Sequence, residues 1–231
     1  MIITVVYEKG GVQPPVFAHN LAVLRAIDGH AVMLLDTHPQ KRSFIWSQTR
    51  NATDIRPQLP AQFVNGRAVQ QTLTDLMPHY SDVVIDTDGR DSQASRLALS
   101  AACVALVPIF LFFMTQAGQE RLVARIQTAR QAHPDLRILF VLAGIRNEPT
   151  YAFMTAVRGL VSRIPWASLA DTVIHHTDAL DGSYQQGLAL CEYKPADGLA
   201  IGEMSSLYRE IYKKYQRPSQ MHAHPAYLRA A

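Results

Sequence analysis

The sequence predicts an α/β fold, a doubly wound and mostly parallel sheet flanked by helices, and three observations support that prediction. Short apolar runs alternate along the 231-residue chain with longer segments in which apolar residues recur at helical spacing. The first run, residues 2–6, is nearly continuous, which is typical of a strand covered on both faces. Asp36 and Asp86 directly follow the second and third runs, at the sheet edge where such folds bind ligands.

The other elements follow from the same periodicities. Strands are predicted over residues 2–6, 31–35, 82–85, 103–108, 136–143 and 171–175. Helices are predicted over residues 17–27, 40–48, 69–77, 91–101, 117–133, 151–161 and 201–215. Residues 51–60 contain two prolines and are expected to be irregular. We expect one domain over residues 1–216 and a loose tail over residues 217–231.

Composition narrows the class of protein. Charged residues make up 18% of the chain and the net charge is only +3, which argues against a polycation that coats nucleic acid. Cys103 and Cys191 lie far apart without C-x-x-C spacing, which favours buried thiols in a reducing cytoplasm. Residues 1–6 already have the pattern of a strand, so no secretory leader is expected.

Residues 97–114 form the longest apolar stretch and raise the question of a membrane span. Pro108 interrupts the stretch in the middle, and Arg96 is the only basic flank. Both features argue against a transmembrane helix. A buried strand followed by an apolar loop is the better interpretation, and no membrane partner is expected.

A Gly-rich loop, Tyr7 to Val16, lies between the first strand and the first helix, where a P-loop holds phosphate. It resembles the deviant Walker A loop of the ParA/MinD partition ATPases, K-G-G-x-G-K-[ST]-[ST]. Four residues match that pattern: Lys9, Gly10, Gly11 and Val12. The next four replace the family's residues: Gln13 for Gly, Pro14 for the catalytic Lys, Pro15 for the Mg²⁺-ligating Ser/Thr, and Val16 for its neighbour.

The strand-end acids extend the resemblance, which implies a P-loop NTPase-like fold over roughly residues 1–216. Asp36 matches the family's water-orienting acid, and Asp86 matches the Walker B carboxylate that holds Mg²⁺ through water. The segment Asp36-Thr37-His38-Pro39-Gln40 resembles D-x-D-P-Q, with His38 in place of the second Asp. The alternative is that strand-end aspartates only cap turns or helices.

The substitutions in the loop bear directly on the chemistry that the resemblance implies. A P-loop cradles phosphates with successive backbone N–H groups and a Lys. Pro14 and Pro15 have no N–H, and neither can replace the Lys charge or the hydroxyl. Proline is nevertheless well tolerated in the first turn of a helix. We therefore expect the fold to persist and the binding of ATP, ADP and Mg²⁺ to be impaired.

Two further surfaces are candidates for partners. Residues 109–114 replace a polar loop of the family with apolar side chains, which predicts an interface or else a core strand; the interface residues would be Phe110, Leu111, Phe112, Phe113 and Met114. The basic end of the chain, with Lys213, Lys214 and Arg217, could contact DNA phosphates or form only a solvated helix face.

The resemblance implies a ParA-like protein of a plasmid, an integrative element or a chromosome. In that case ATP would close a homodimer in which Lys9 reaches the partner's phosphates. The dimer would bind DNA without sequence preference, and a centromere-binding partner would stimulate hydrolysis. The alternative is a binding module that does not depend on nucleotide and is no ATPase.

Overall fold

The computed structural model describes residues 1–6, 15–110 and 115–215, and in this part of the chain seven strands form one sheet. All the paired strands are parallel, in the order β3-β2-β4-β1-β5-β6-β7. The strands are β1 (Ile2–Val5), β2 (Val32–Asp36), β3 (Ala61–Phe63), β4 (Asp82–Asp86), β5 (Val104–Phe110), β6 (Arg137–Ile145) and β7 (Ala167–His175). The predicted doubly wound fold is confirmed.

Helices cover both faces of this sheet. They are α1 (Val16–Ile27), α2 (Arg42–Asn51), α3 (Ala68–Leu76), α4 (Gln93–Ala101), α5 (Gln116–Ala132), α6 (Tyr151–Ser162), α7 (Asp178–Gln185) and α8 (Gly198–Tyr215). Helices α1, α7 and α8 pack on one face, and α3 to α6 pack on the other. The hydroxyls of Ser92, Thr115 and Thr150 accept from the first turns of α4, α5 and α6, which stabilises those helix starts.

Several elements differ from their predictions. The three-residue strand β3 and the helix α7 were not predicted, because neither is long enough to show a clear period. Strand β7 begins four residues earlier than predicted, at Ala167 rather than at Asp171. The irregular connection is also shorter, since α2 extends to Asn51.

The apolar stretch divides between a helix and a strand. Residues 97–101 belong to α4, and Val104–Phe110 forms β5. Ile109 is buried and Phe110 partly buried, so these two residues continue the core strand rather than begin a loop. Leu111, Phe112, Phe113 and Met114 lie outside the described residues. No helix in the described ranges is long and apolar enough to cross a bilayer.

Candidate functional site

The two strand-end aspartates lie side by side. Strand β4 lies between β1 and β2, and the register pairs Asp86 with Asp36 on one side and with Val5 on the other. Asp36 and Asp86 are both almost completely buried. The chain therefore buries two carboxylates next to the point where it leaves β1 toward residues 7–14.

Asp36 uses both carboxylate oxygens within the protein. Its Oδ1 accepts from the backbone N–H of His38 at 2.7 Å, and its Oδ2 accepts from that of Phe44 at 2.9 Å. The second bond ties the first turn of α2 to the end of β2. Burial raises the pKa of Asp36 even though these two bonds favour the charged form. In this structure Asp36 performs the capping role that was the alternative; a water-orienting role stays a prediction.

Asp86 has a different partner. Its Oδ2 accepts from the hydroxyl of Ser43, on α2, at 2.7 Å, and its Oδ1 is buried with no hydrogen-bond partner among the described residues. Burial raises the pKa of Asp86 well above its ordinary value, and the neighbouring Asp36 raises it further. The neutral form of this carboxyl is therefore favoured.

A buried histidine completes a chain of three polar groups. His19 of α1 has its Nε2 2.8 Å from the Ser43 hydroxyl. Its ring stacks on Trp46 with centroids 4.1 Å apart and faces Tyr184 at 5.7 Å. Burial lowers the pKa of His19 well below its ordinary value, which favours the neutral ring.

The protons of the hydrogen-bonded series His19–Ser43–Asp86 can be placed in two ways. With Asp86 ionised, Ser43 donates to the carboxylate and His19 donates to Ser43. With Asp86 protonated, the carboxyl donates to Ser43 and Ser43 donates to His19. Buried acid and base are thus connected through one hydroxyl. The sequence reasoning missed both His19 and Ser43; the available signal was a polar residue at an inward position of an apolar helix.

The turn after β4 contains another buried acid that was not predicted. Asp88 accepts from Arg90 Nε at 2.8 Å and from the Ser92 hydroxyl at 3.3 Å. His38 lies in the same electrostatic environment: its pKa is lowered by burial and by Arg42, while Asp36 and Asp88 oppose that shift. This rim of the site carries charges of both signs.

Only two residues of the predicted phosphate loop are described. Pro15 precedes α1 and its carbonyl accepts from the N–H of His19 at 3.3 Å, and Val16 is buried as the first residue of the helix. No side chain caps the start of α1. Lys9, Gly10, Gly11, Val12, Gln13 and Pro14 lie outside the described residues, so their predicted roles stay predictions.

The donor groups among the described residues do not form a magnesium site. Within residues 1–6, 15–110 and 115–215, no group of three or more His, Cys, Asp or Glu residues is arranged to hold a metal. The free Oδ1 of Asp86 could accept from a metal-bound water, but both oxygens of Asp36 are occupied. Pro15 cannot supply a hydroxyl ligand.

A second set of contacts fixes the other end of α2. Arg50, whose side chain is fully buried, forms a bidentate pair with Glu192 at 2.6 and 2.7 Å. The backbone at Gly187 packs so closely against Arg50 that an added Cβ would lie 2.8 Å from its backbone nitrogen. Asn20 of α1 also accepts from the N–H of Leu190 at 2.8 Å. The segment 187–192 is therefore held against α1 and α2.

The remaining predicted residues are spread over other surfaces. Lys213 is exposed near the end of α8, Lys214 belongs to the same helix, and Arg217 lies outside the described residues. Phe110, at the end of β5, packs against Gly144 of β6, where an added Cβ would lie 3.0 Å from its ring. Among the described residues, no hydrogen bond or ion pair joins Lys213 or Phe110 to Asp36 or Asp86.

Comparison with solved structures shows the class of fold. The cell division ATPase MinD of Pyrococcus furiosus matches with a TM-score of 0.66 and 18% identity over 92% of this chain and 98% of that one. A putative plasmid partition protein of Borrelia burgdorferi, bound to AMPPNP, matches with a TM-score of 0.66 and 15% identity over 92% and 98%. The septum site-determining protein MinD of Pyrococcus horikoshii, complexed with Mg-ADP, matches with a TM-score of 0.66 and 16% identity over 95% of this chain and 99% of that one.

No model of a known protein family matches the chain, and no curated protein does. The chain has the fold of the MinD and plasmid-partition ATPases, as its loop and strand-end motifs predicted. At these identities the comparison establishes the fold, and the activity has to be argued from the site.

Proposed function

We propose that this chain is a ParA-like protein that acts in the partition of a plasmid, an integrative element or a chromosome, with impaired binding and hydrolysis of ATP. The shared fold supports the first half of this proposal, since structures of a plasmid partition protein and of MinD match over more than nine tenths of the chain. The observation that carries the second half is the buried bond between Ser43 and Asp86.

That bond occupies one oxygen, Oδ2, of the carboxylate on which nucleotide chemistry would depend. In an ATPase of this fold, Mg²⁺ bound with ATP would neutralise charge on the phosphates. Asp86 would have to be ionised to help hold that ion, yet burial and Asp36 favour its neutral form. Pro14 and Pro15 also remove the Lys and the hydroxyl from the loop. The favoured neutral form of Asp86 and the two prolines of the loop would both weaken the binding of ATP with Mg²⁺.

The proposal also includes the other properties that the resemblance to the family implies. The protein would form a homodimer, with Lys9 as the signature Lys and residues 110–114 at the interface. It would bind DNA weakly and without sequence preference through Lys213, Lys214 and Arg217, and act with a centromere-binding partner. The cytoplasm is the proposed location.

The same buried bond favours a second candidate function. In a binding module that works without nucleotide, His19, Ser43 and Asp86 would serve as a permanent polar core, and α2 would never have to move. Complete burial of all three groups is what such a role requires. The two candidates differ in whether any nucleotide binds.

Calorimetric titration with ATP, ADP and Mg²⁺ separates the two candidates. Impaired ParA-like binding predicts weak but measurable ATP affinity, which the triple variant Gln13→Gly/Pro14→Lys/Pro15→Thr should raise by at least tenfold, because each restored charge-assisted contact contributes about 1.5–3 kcal/mol. Asp86→Ala in the triple variant is the matched control and should remove the part of the ATP affinity that depends on Mg²⁺. Absence of nucleotide binding in both the wild type and a folded triple variant would favour the nucleotide-independent module.

A further inference from the structure

Trp166 is a highly exposed indole in an unusual backbone conformation. It directly precedes β7, is 65% exposed, and has a φ of 65°. A bulky residue with positive φ is an outlier, and such strain persists where the surrounding structure or the function requires it. The chain has only one other tryptophan, Trp46, which is buried.

Two arginines hold guanidinium groups near this ring. The guanidinium carbon of Arg137 lies 5.1 Å from the ring centroid and that of Arg130 lies 6.0 Å away. Arg130 also donates to the carbonyls of Pro165 and Pro134, which ties the turn before β7 to the end of α5. Although both arginines approach the ring, most of it remains open to solvent.

Further positive charge lies at the same end of the sheet. Arg163 is exposed where α6 ends, three residues before Trp166. Trp166, Arg130, Arg137 and Arg163 are referred to below as the indole–guanidinium surface. The same segment of the sequence also contains one acid, Asp135, two residues before Arg137. The surface therefore combines an open aromatic ring with several basic groups.

This surface lies at the opposite end of the strands from Asp36 and Asp86. Arg137 begins β6 and Trp166 precedes β7, whereas the two aspartates end their strands. Helix α8 runs back toward this end: Glu203 bonds to His175 at the end of β7, and Glu210 bonds to the N–H groups of Asp171 and Thr172, nearer its start. Lys213 therefore lies toward the same end as Trp166.

We propose that the indole–guanidinium surface binds single-stranded nucleic acid, with an unpaired base stacked on Trp166 and phosphates contacted by Arg137 and Arg163. Aromatic side chains beside basic groups are how proteins bind single strands without sequence preference. A duplex or an acidic peptide could use the arginines, but neither accounts for an open indole between two guanidinium groups. This proposal goes beyond the proposed function and does not depend on whether the chain binds ATP.

Intrinsic fluorescence tests the proposal directly. In a Trp46→Phe variant, Trp166 is the only indole, so its emission reports on this surface alone. We expect a dT20 oligonucleotide to quench that emission, a 20-base-pair duplex to quench it several-fold less, and poly-glutamate to leave it unchanged. Equal quenching by the duplex would contradict base stacking, and quenching by poly-glutamate alone would assign the surface to an acidic protein. Wild-type protein and a labelled dT20, followed by anisotropy, give the same comparison without the Trp46 change.

Matched variants separate stacking from charge. Trp166→Asn tolerates positive φ and should weaken dT20 binding about tenfold, while Trp166→Phe should recover most of the affinity. Arg137→Gln with Arg163→Gln should flatten the salt dependence of binding. Arg146→Gln is the matched control, because Arg146 is an exposed arginine directly after β6, at the opposite end of that strand from Arg137; it should leave Trp166 quenching intact. Unchanged dT20 affinity in a folded Trp166→Asn variant would overturn the proposal.

Discussion

The two ends of strand β4 bury carboxylates in opposite ways. Asp82, at the first residue, is 1% exposed and accepts from Arg25 Nε at 2.9 Å and from the Ser81 hydroxyl at 3.2 Å. Asp86, at the last residue, is 2% exposed and has one neutral partner, Ser43, together with the like charge of Asp36. The burial is the same, but a full positive charge compensates only Asp82.

This difference separates a structural acid from a candidate functional one. The guanidinium of Arg25 places an opposite charge 2.9 Å from Asp82, and this pair joins α1 to the sheet. Arg25 is fixed further by stacking on Tyr212, with its guanidinium carbon 4.3 Å from the ring centroid. A buried carboxylate beside a hydroxyl favours its neutral form. Uncompensated burial costs stability, and it is at functional sites that proteins tolerate such a cost.

The largest expected effect on stability comes from removing Arg25, the guanidinium partner of Asp82. Arg25→Met removes the guanidinium from a buried carboxylate and leaves the N-terminal ammonium, 3.3 Å from Asp82 Oδ1, as its remaining cation. We therefore expect the free energy of unfolding to fall by about 3 kcal/mol, the lower end of the range for a broken buried pair. Urea denaturation followed by circular dichroism measures this change. The double variant Arg25→Met/Asp82→Asn is the control and should recover part of the loss. A loss below about 1 kcal/mol in Arg25→Met would mean that the two ends of β4 are not energetically distinct.

A smaller effect is expected at the other end of the strand. Ser43→Ala leaves Asp86 Oδ2 and His19 Nε2 without their hydrogen-bond partner, which should cost about 1–3 kcal/mol. Ser47→Ala is the matched control on the same helix, because its hydroxyl also donates to a buried acceptor, the carbonyl of Leu59. Equal losses in both variants would show that the Ser43 bond is an ordinary buried hydrogen bond. A larger loss at Ser43 would show that the three-group chain is cooperative.

The smallest effect at acidic pH, but the most informative, is that of Asp86→Asn. The folded state raises the pKa of Asp86 above the ordinary 3.8. Between these two pKa values the unfolded chain loses its proton first, so the wild type loses stability as pH rises through that window, by up to about 1.4 kcal/mol per pH unit. Asn has no such titration and still accepts from Ser43. Relative to the wild type, the variant should therefore gain stability as the pH rises above the ordinary pKa of 3.8.

Thermal or urea unfolding of the two proteins at several pH values measures that difference. Asp82→Asn serves as the comparison, because it removes a charge that Arg25 compensates and should destabilise the protein at neutral pH. A constant difference between Asp86→Asn and the wild type across the pH range would contradict the inference that Asp86 is an uncompensated acid.

The sequence was sufficient to predict most of the fold. Continuous apolar runs predicted β1, β2, β4, β5 and β6, since central strands of a parallel sheet are buried on both faces. The predictions failed at the sheet edges, because β3 is only three residues long and partly exposed, and β7 is mostly half-buried. At such edges tertiary pairing, not local pattern, decides where a strand begins.

The site was only partly predictable for a related reason. Asp36 and Asp86 were identified because a strand end is visible in the pattern and parallel strands bring their ends together. Ser43 and His19 were missed because they belong to two different helices and meet only after those helices pack. Asp88 likewise became recognisable as a buried acid only once the turn after β4 was seen to cover it.

Helix α2 is attached at both ends, and this limits how it can move. Ser43, in the first turn, bonds to Asp86, while Arg50, in the last turn, is held by Glu192 and by the close backbone of Gly187. A ligand that displaced Ser43 from Asp86 and the Phe44 N–H from Asp36 would release the first turn and leave the last turn attached. The helix would then have to pivot about Arg50 rather than slide along its axis, so the amplitude of any opening at Asp86 would be set by an ion pair at the far end of the helix.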